Sequence, residues 1–140
     1  ALPIFMNKNA FSLIELIISI TIIAILGTIL YPNFSKLQQK AKESSLQSTG
    51  RSIQTAIELY ALNNTTYPSG TNIPLLELID TLKTGGELTK IPKNPFTGKQ
   101  YTDQDHSGNI VYNYDETENQ YTLNIYGSGN KTIIYCLENI

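Results

Sequence analysis

The sequence predicts an α+β protein in which a long N-terminal helix, membrane anchor plus amphipathic half, packs on a C-terminal antiparallel three-stranded sheet. Three observations lead there: an apolar run over residues 11–31, a helical spacing that continues from it to about residue 62, and three alternating stretches that close the chain.

The apolar run holds 21 residues and a single charge, Glu15. A helix of that length would be about 31 Å long, the thickness of a bilayer core. Eight isoleucines put apolar side chains on every face, so lipid or neighbouring helices must surround it. A signal-peptide core is shorter, about 7 to 15 residues, and ends at small residues. This run leads instead into more helical pattern, which predicts a retained anchor. Lys8 is the basic residue ahead of it and no acid occurs in 1–10, so the N-terminal side leans towards the cytoplasm.

Pro32 has no N–H and its ring crowds the carbonyl of Thr28, so a helix crossing it is expected to kink or open, with Gly27 weakening the same stretch. Beyond it, Phe34, Leu37, Ala41, Ile53, Ala56, Ile57, Tyr60 and Ala61 recur at helical spacing among charged residues. The middle of this stripe, SSLQSTG (44–50), is small and polar, and Gly50 marks a bend, a close contact or, the preferred reading, a tolerated helix glycine. NNTTYPSG (63–70) should end the helix. A short helix is expected over 74–83, capped by Asn72 and stopped by Gly85 and Gly86. Two prolines and a glycine make 90–101 an ordered surface loop. Strands are expected over 110–114, 120–126 and 131–136, with Ile110, Tyr112 and Tyr114 on one face and Tyr121, Leu123 and Ile125 on the matching one. The helix from Phe34 onward is the long element available to cover that face.

Composition narrows the function. One cysteine, Cys136, and one histidine, His106, leave no internal disulfide, no structural zinc site and no Ser-His-Asp or Cys-His arrangement. An anchored enzyme is therefore disfavoured. A net charge of -2 argues against nucleic acid as an electrostatic partner of the whole chain, while a local basic patch stays open. The nine tyrosines fit the core and rim of the sheet. Sequons at Asn63, Asn64 and Asn130 mark exposure more than modification. No cofactor is implied, with one exception. Asp103, Asp105 and Ser107 alternate ahead of Gly108, as in the opening of a calcium loop, but Tyr114 stands where the bidentate glutamate belongs, and a polar Asx-type turn is the preferred reading.

KNAFSLIEL (8–16) joins a basic residue, a small residue, Phe11 and a glutamate four positions later, and Pro32 follows Phe11 by 21 positions. With AIELYALNNTTYPSG (56–70) and IPKNPFTGKQY (91–101), these residues resemble the type IV pilins and their relatives, the type II secretion pseudopilins and competence pilins. The resemblance implies a leader (1–10), a transmembrane and filament-core helix (11–32) and a pilin globular domain (33–140). It implies cleavage by a prepilin peptidase between Ala10 and Phe11, with Ala10 where glycine is usual, and N-methylation of Phe11. It also implies a reason for Glu15. An unpaired carboxylate at mid-bilayer costs about 2.5–3.5 kcal/mol, and pairing Glu15 with the amino terminus of Phe11 in an adjacent subunit would guide docking. The implied partners are copies of the same chain in a homopolymer, the peptidase, the pilus assembly machinery and the inner membrane before assembly. The implied destination is an extracellular filament serving adhesion, twitching motility or DNA uptake; the alternative is a pseudopilin or minor pilin of a type II secretion or competence fibre. Family members that hold calcium in their sheet loops keep Asp103, Asp105 and Ser107 in view.

Overall fold

The computed structural model describes residues 9–139; Lys8 and the rest of the expected leader up to it lie outside them. The chain divides after Gln38 into two units, and one helix, α1 (Leu13–Asn64), runs through the division. Up to Gln38 every described residue is exposed. The apolar stretch of α1 is long and apolar enough to cross a membrane, with a mean hydropathy of 2.6. Helical bonding continues through Gly27 and Pro32. The opening expected there is therefore absent from the single chain: one proline removes one amide bond, and the bonds on either side still hold the turn.

The second unit is built around the rest of α1. Leu46, Gly50, Ile53, Ala56 and Ile57 are buried, a stripe at helical spacing. Phe34 and Leu37, expected in that stripe, are 60% and 63% exposed. The polar stretch 44–50 instead supplies Leu46 and Gly50. A Cβ on Gly50 would run into the end of the Ile125 side chain and lie 3.2 Å from Leu137 Cδ1. Gly50 is thus a point of close approach between helix and sheet, which corrects the reading of it as merely tolerated.

The sheet has four antiparallel strands in the order β1 (Ile73–Pro74), β2 (Ile110–Asp115), β3 (Gln120–Tyr126), β4 (Ile133–Glu138), one more than expected. β1 pairs Ile73 with Tyr112 and Pro74 with Val111. Two residues are too few for an alternation to show, and proline fits there because the strand is an edge. In the centre, Tyr112 faces Leu123 and Ile110 faces Ile125, and across the next pair Leu123 faces Leu137. Ile110, Tyr112, Tyr121, Leu123 and Ile125 are buried together, as the alternation requires. β4 starts two residues later than expected because a 3-10 turn takes Ser128–Asn130.

α2 (Leu75–Gly85) buries Leu75, Leu78, Ile79 and Leu82 and stops at Gly86, whose φ of 84° suits glycine. Asn72 does not cap it. Asn72 has a φ of 54°, and its N–H donates to Asn113 Oδ1 at 2.7 Å, because β1 intervenes before the helix starts at the uncapped Pro74.

Side-chain bonds close the seam between α1 and the sheet. Glu58 accepts from Tyr121 Oη at 2.8 Å and from Tyr67 Oη at 3.2 Å, and the Tyr67 and Tyr121 rings meet edge to face with centroids 4.8 Å apart. Burial, then Glu58, pushes the Tyr121 hydroxyl well above the ordinary phenol range, so it is a neutral donor.

The close approach at residue 50 is testable by size. Gly50→Ala should change stability by less than about 1 kcal/mol, since better helix propensity offsets mild crowding. Gly50→Leu should lose about 1–3 kcal/mol from overpacking. Urea unfolding followed by circular dichroism measures both, and equal stability of the two variants would contradict the seam.

Candidate functional site

α1 begins with a reciprocal pair of bonds. Ser12 N–H donates to Glu15 Oε2 at 2.8 Å, and Glu15 N–H donates to Ser12 Oγ at 3.3 Å. This is a capping box, in which each side chain satisfies an amide that the first turn leaves without a partner. Glu15 therefore spends its charge, in the single chain, on its own helix end. The S-x-x-E spacing of Ser12 and Glu15 is the sequence signal for it. Asn9, Ala10 and Phe11 precede the helix, are exposed, and line one shallow hollow with Glu15. The Ala10–Phe11 peptide is thus non-helical, accessible and beside the carboxylate.

A second polar cluster sits in the other unit. Asn94 is wholly buried. Its Nδ2 donates to Asp105 Oδ2 at 3.0 Å and to the Ser107 carbonyl at 2.8 Å, while its Oδ1 accepts from Phe96 N–H at 3.0 Å. Asp105 Oδ1 accepts from Thr102 Oγ1 at 2.9 Å and Oδ2 accepts from Thr102 N–H at 3.1 Å. Ser107 Oγ accepts from Gly129 N–H at 2.8 Å, and the Asp105 carbonyl accepts from the side chains of Asn109 and Asn130 at 3.1 Å each. Three loops are tied together without regular structure.

Asp103 is exposed, Asp105 and Ser107 turn their side-chain oxygens to donors of the protein, and among the described residues no group of three or more His, Cys, Asp or Glu converges. Asn94, unremarked in the sequence, is the hub; a buried asparagine in a prolyl loop leaves no periodic signal. Partial burial alone would raise the Asp105 carboxyl, yet bonds from Asn94 and Thr102, with His106 nearby, outweigh it and lower it from 3.8.

Neither remaining candidate for chemistry has a partner that would activate it. Cys136 is exposed on β4, and burial of its sulfur together with Glu138 raises its thiol, the direction of an unreactive cysteine. A cavity of about 270 Å³ is lined by Asn72, Leu75, Tyr101, Asp103 and Ile110 among others. Its Tyr101 hydroxyl donates to the Gly108 carbonyl at 2.8 Å.

The prokaryotic N-terminal methylation motif matches residues 5–31, the stretch that carries Phe11, the capping box and the apolar helix. Type II secretion system core protein G of Aeromonas hydrophila is 26% identical over 99 residues, 64% of this chain and 68% of that protein. Its counterpart in Vibrio cholerae is 27% identical over 104 residues, covering 68% and 69%. That of Pectobacterium carotovorum is 31% identical over a shorter 63 residues, covering 45% and 40%. The motif and these relatives together support the type IV pilin and pseudopilin superfamily. No solved structure matches it. The described residues that the motif spans lie just before and within the first part of α1, and Asn94 and Asp105 lie outside the motif.

Asp105 supplies a pH test. Because its folded pKa is depressed, its contribution is present above the ordinary value of 3.8 and is lost as pH falls through the lower folded value. Unfolding midpoints measured down to that range should fall steeply for the parent and less steeply for Asp105→Asn. The same midpoints should not move between chelator and millimolar calcium; a calcium-dependent rise lost in Asp103→Ala and Asp105→Ala would instead establish a cation site.

Proposed function

We propose that this chain is a non-enzymatic structural subunit, a pseudopilin, of a type II secretion fibre, polymerised through its apolar helix. The observation that carries the choice is the naming of its relatives, all type II secretion system core protein G, over about two thirds of the chain in the longer matches. A long-filament type IV pilin for adhesion, motility or DNA uptake is the second reading, supported by the N-terminal motif that both classes share. On the first reading the anchor sits in the inner membrane and the assembled fibre is periplasmic.

The assembly chemistry follows from the head of α1. A prepilin peptidase cuts the exposed Ala10–Phe11 peptide, and Phe11 then carries a free amine that is N-methylated. The amine appears beside the amide that Glu15 holds in the uncut chain. Glu15 exchanges its own cap for the amine of a neighbouring Phe11 as the subunit leaves lipid. A subunit out of axial register leaves that carboxylate unpaired at a cost of several kcal/mol, which selects the correct register. Gly27 and Pro32 mark where the packed helix opens in the fibre, since Thr28 has already lost its amide partner there.

A strain lacking this chain should retain its long surface filaments and lose a secreted protein from the medium; loss of the filaments instead would favour the second reading. Purified fibres should give Phe11 as the first residue by N-terminal sequencing. Glu15→Gln keeps a side chain able to cap the helix but no charge, so membrane insertion should survive while fibre yield falls about tenfold, the effect of ~1.4 kcal/mol. Undiminished yield would remove Glu15 from docking. A fibre map should show non-helical backbone between Gly27 and Pro32, and an unbroken helix there would refute the opening.

A further inference from the structure

Six of the ten basic residues fall in two stretches that contain no acid: Lys36, Lys40 and Lys42 in 16–42, and Lys90, Lys93 and Lys99 in 88–102. The fold joins the second stretch to α1. Lys42 Nζ lies 5.9 Å from the centroid of the Phe96 ring, a cation-π distance. Lys93 bridges to Gln100, and Asn94 N–H donates to the Lys99 carbonyl at 2.8 Å, so the backbones of Lys93 and Lys99 are neighbours on either side of Phe96. All six lysines are exposed. Within the unit from Gln39 onward, Lys42 on α1, with Lys40 two residues before it, and Lys93 and Lys99 in the loop thus make a basic cluster in a molecule of net charge -2.

We infer that this lysine cluster binds anionic lipid headgroups of the membrane that holds the apolar segment. The choice of lipid rests on tethering: Lys40 and Lys42 follow Tyr31, the end of the apolar run, by only nine and eleven residues along the chain. A basic segment next to an inserted helix meets the headgroup surface at high effective concentration, whereas duplex DNA must be drawn to a chain that is acidic as a whole. Phe96 holds the loop lysines to the part of α1 that bears Lys42, which lets one surface collect charge from two stretches. The inference requires the apolar segment to be in a membrane and does not depend on which fibre the chain joins.

The test uses the full chain, one copy per lipid nanodisc, with lysine acetylation rates read by mass spectrometry. On discs containing phosphatidylglycerol, Lys40, Lys42, Lys93 and Lys99 should react about fivefold more slowly than on pure phosphatidylcholine. The protection should vanish at high salt, where screening shortens the reach of the charge. Lys83 and Lys131, outside the cluster, should react alike on both and serve as controls for folding. In K93Q/K99Q the protection of Lys42 should shrink while Lys83 and Lys131 keep their rates. Equal rates at the cluster on both discs, equal slowing at Lys83 and Lys131, or protection by added duplex DNA but not by phosphatidylglycerol would each overturn the inference.

Discussion

The contact of Gly50 with Ile125 is the constraint on which the larger unit depends. α1 can lie on the sheet only where its surface is flat enough to approach, and a glycine on the inward stripe provides that place. Ile125 is paired on both sides, with Ile110 in β2 and Tyr135 in β4, so the helix rests on the middle of the sheet. Ile53 and Ile57 extend the stripe, and Glu58 secures its far end by accepting from Tyr121 and Tyr67. Gln54 Nε2 donates to the Glu138 carbonyl, which brings the end of β4 to the same helix. Tyrosine is well suited to this seam. Its ring fills the core while its hydroxyl reaches a polar partner at the margin, as Tyr112 also does at the Pro68 carbonyl.

The same helix carries a second and separate demand at its head. Glu15 puts a carboxylate at the head of an apolar segment, where its side chain needs a donor. The capping box meets that demand locally: an ionised carboxylate on an amide at a helix N-terminus is favoured both by the hydrogen bond and by the dipole. Ser12 returns the favour to the Glu15 amide, so neither group waits unsatisfied. The carboxylate is thus satisfied in the single chain by one bond at an exposed end.

Between helix and sheet, the long connections are ordered by amides instead of strands. Asn94 offers its donors to Asp105 and Ser107 of one loop and its acceptor to Phe96 of its own, and its complete burial makes each bond expensive to lose. Asp105 gathers Thr102 with its side chain and Asn109 and Asn130 with its carbonyl. Gly108, at a φ of 72°, has Asn94 and Phe96 against the place where a side chain would stand. That arrangement explains why a sequence alternation suited to calcium can serve a loop that binds itself.

Residues 11–31 announced a membrane-length helix because every residue in a long apolar run adds to the same local signal. The buried faces of β2 and β3 were legible for a related reason, since alternation along a strand maps directly onto the two faces of a sheet. The stop of α2 at Gly86 needed only its own backbone conformation. What the sequence determined by itself was therefore local: element type, period and termination. Tertiary structure decided the rest. Phe34 and Leu37 have the right spacing for the stripe yet fall in the first unit and are exposed, whereas the polar-looking 44–50 contributes buried Leu46 and Gly50. β1 exists only because β2 presents an edge to Ile73 and Pro74. Asn94 became a hub, and Gly50 a contact, through segments about 13 and 75 residues away, and no local pattern encodes which distant group will arrive to claim a donor or a gap.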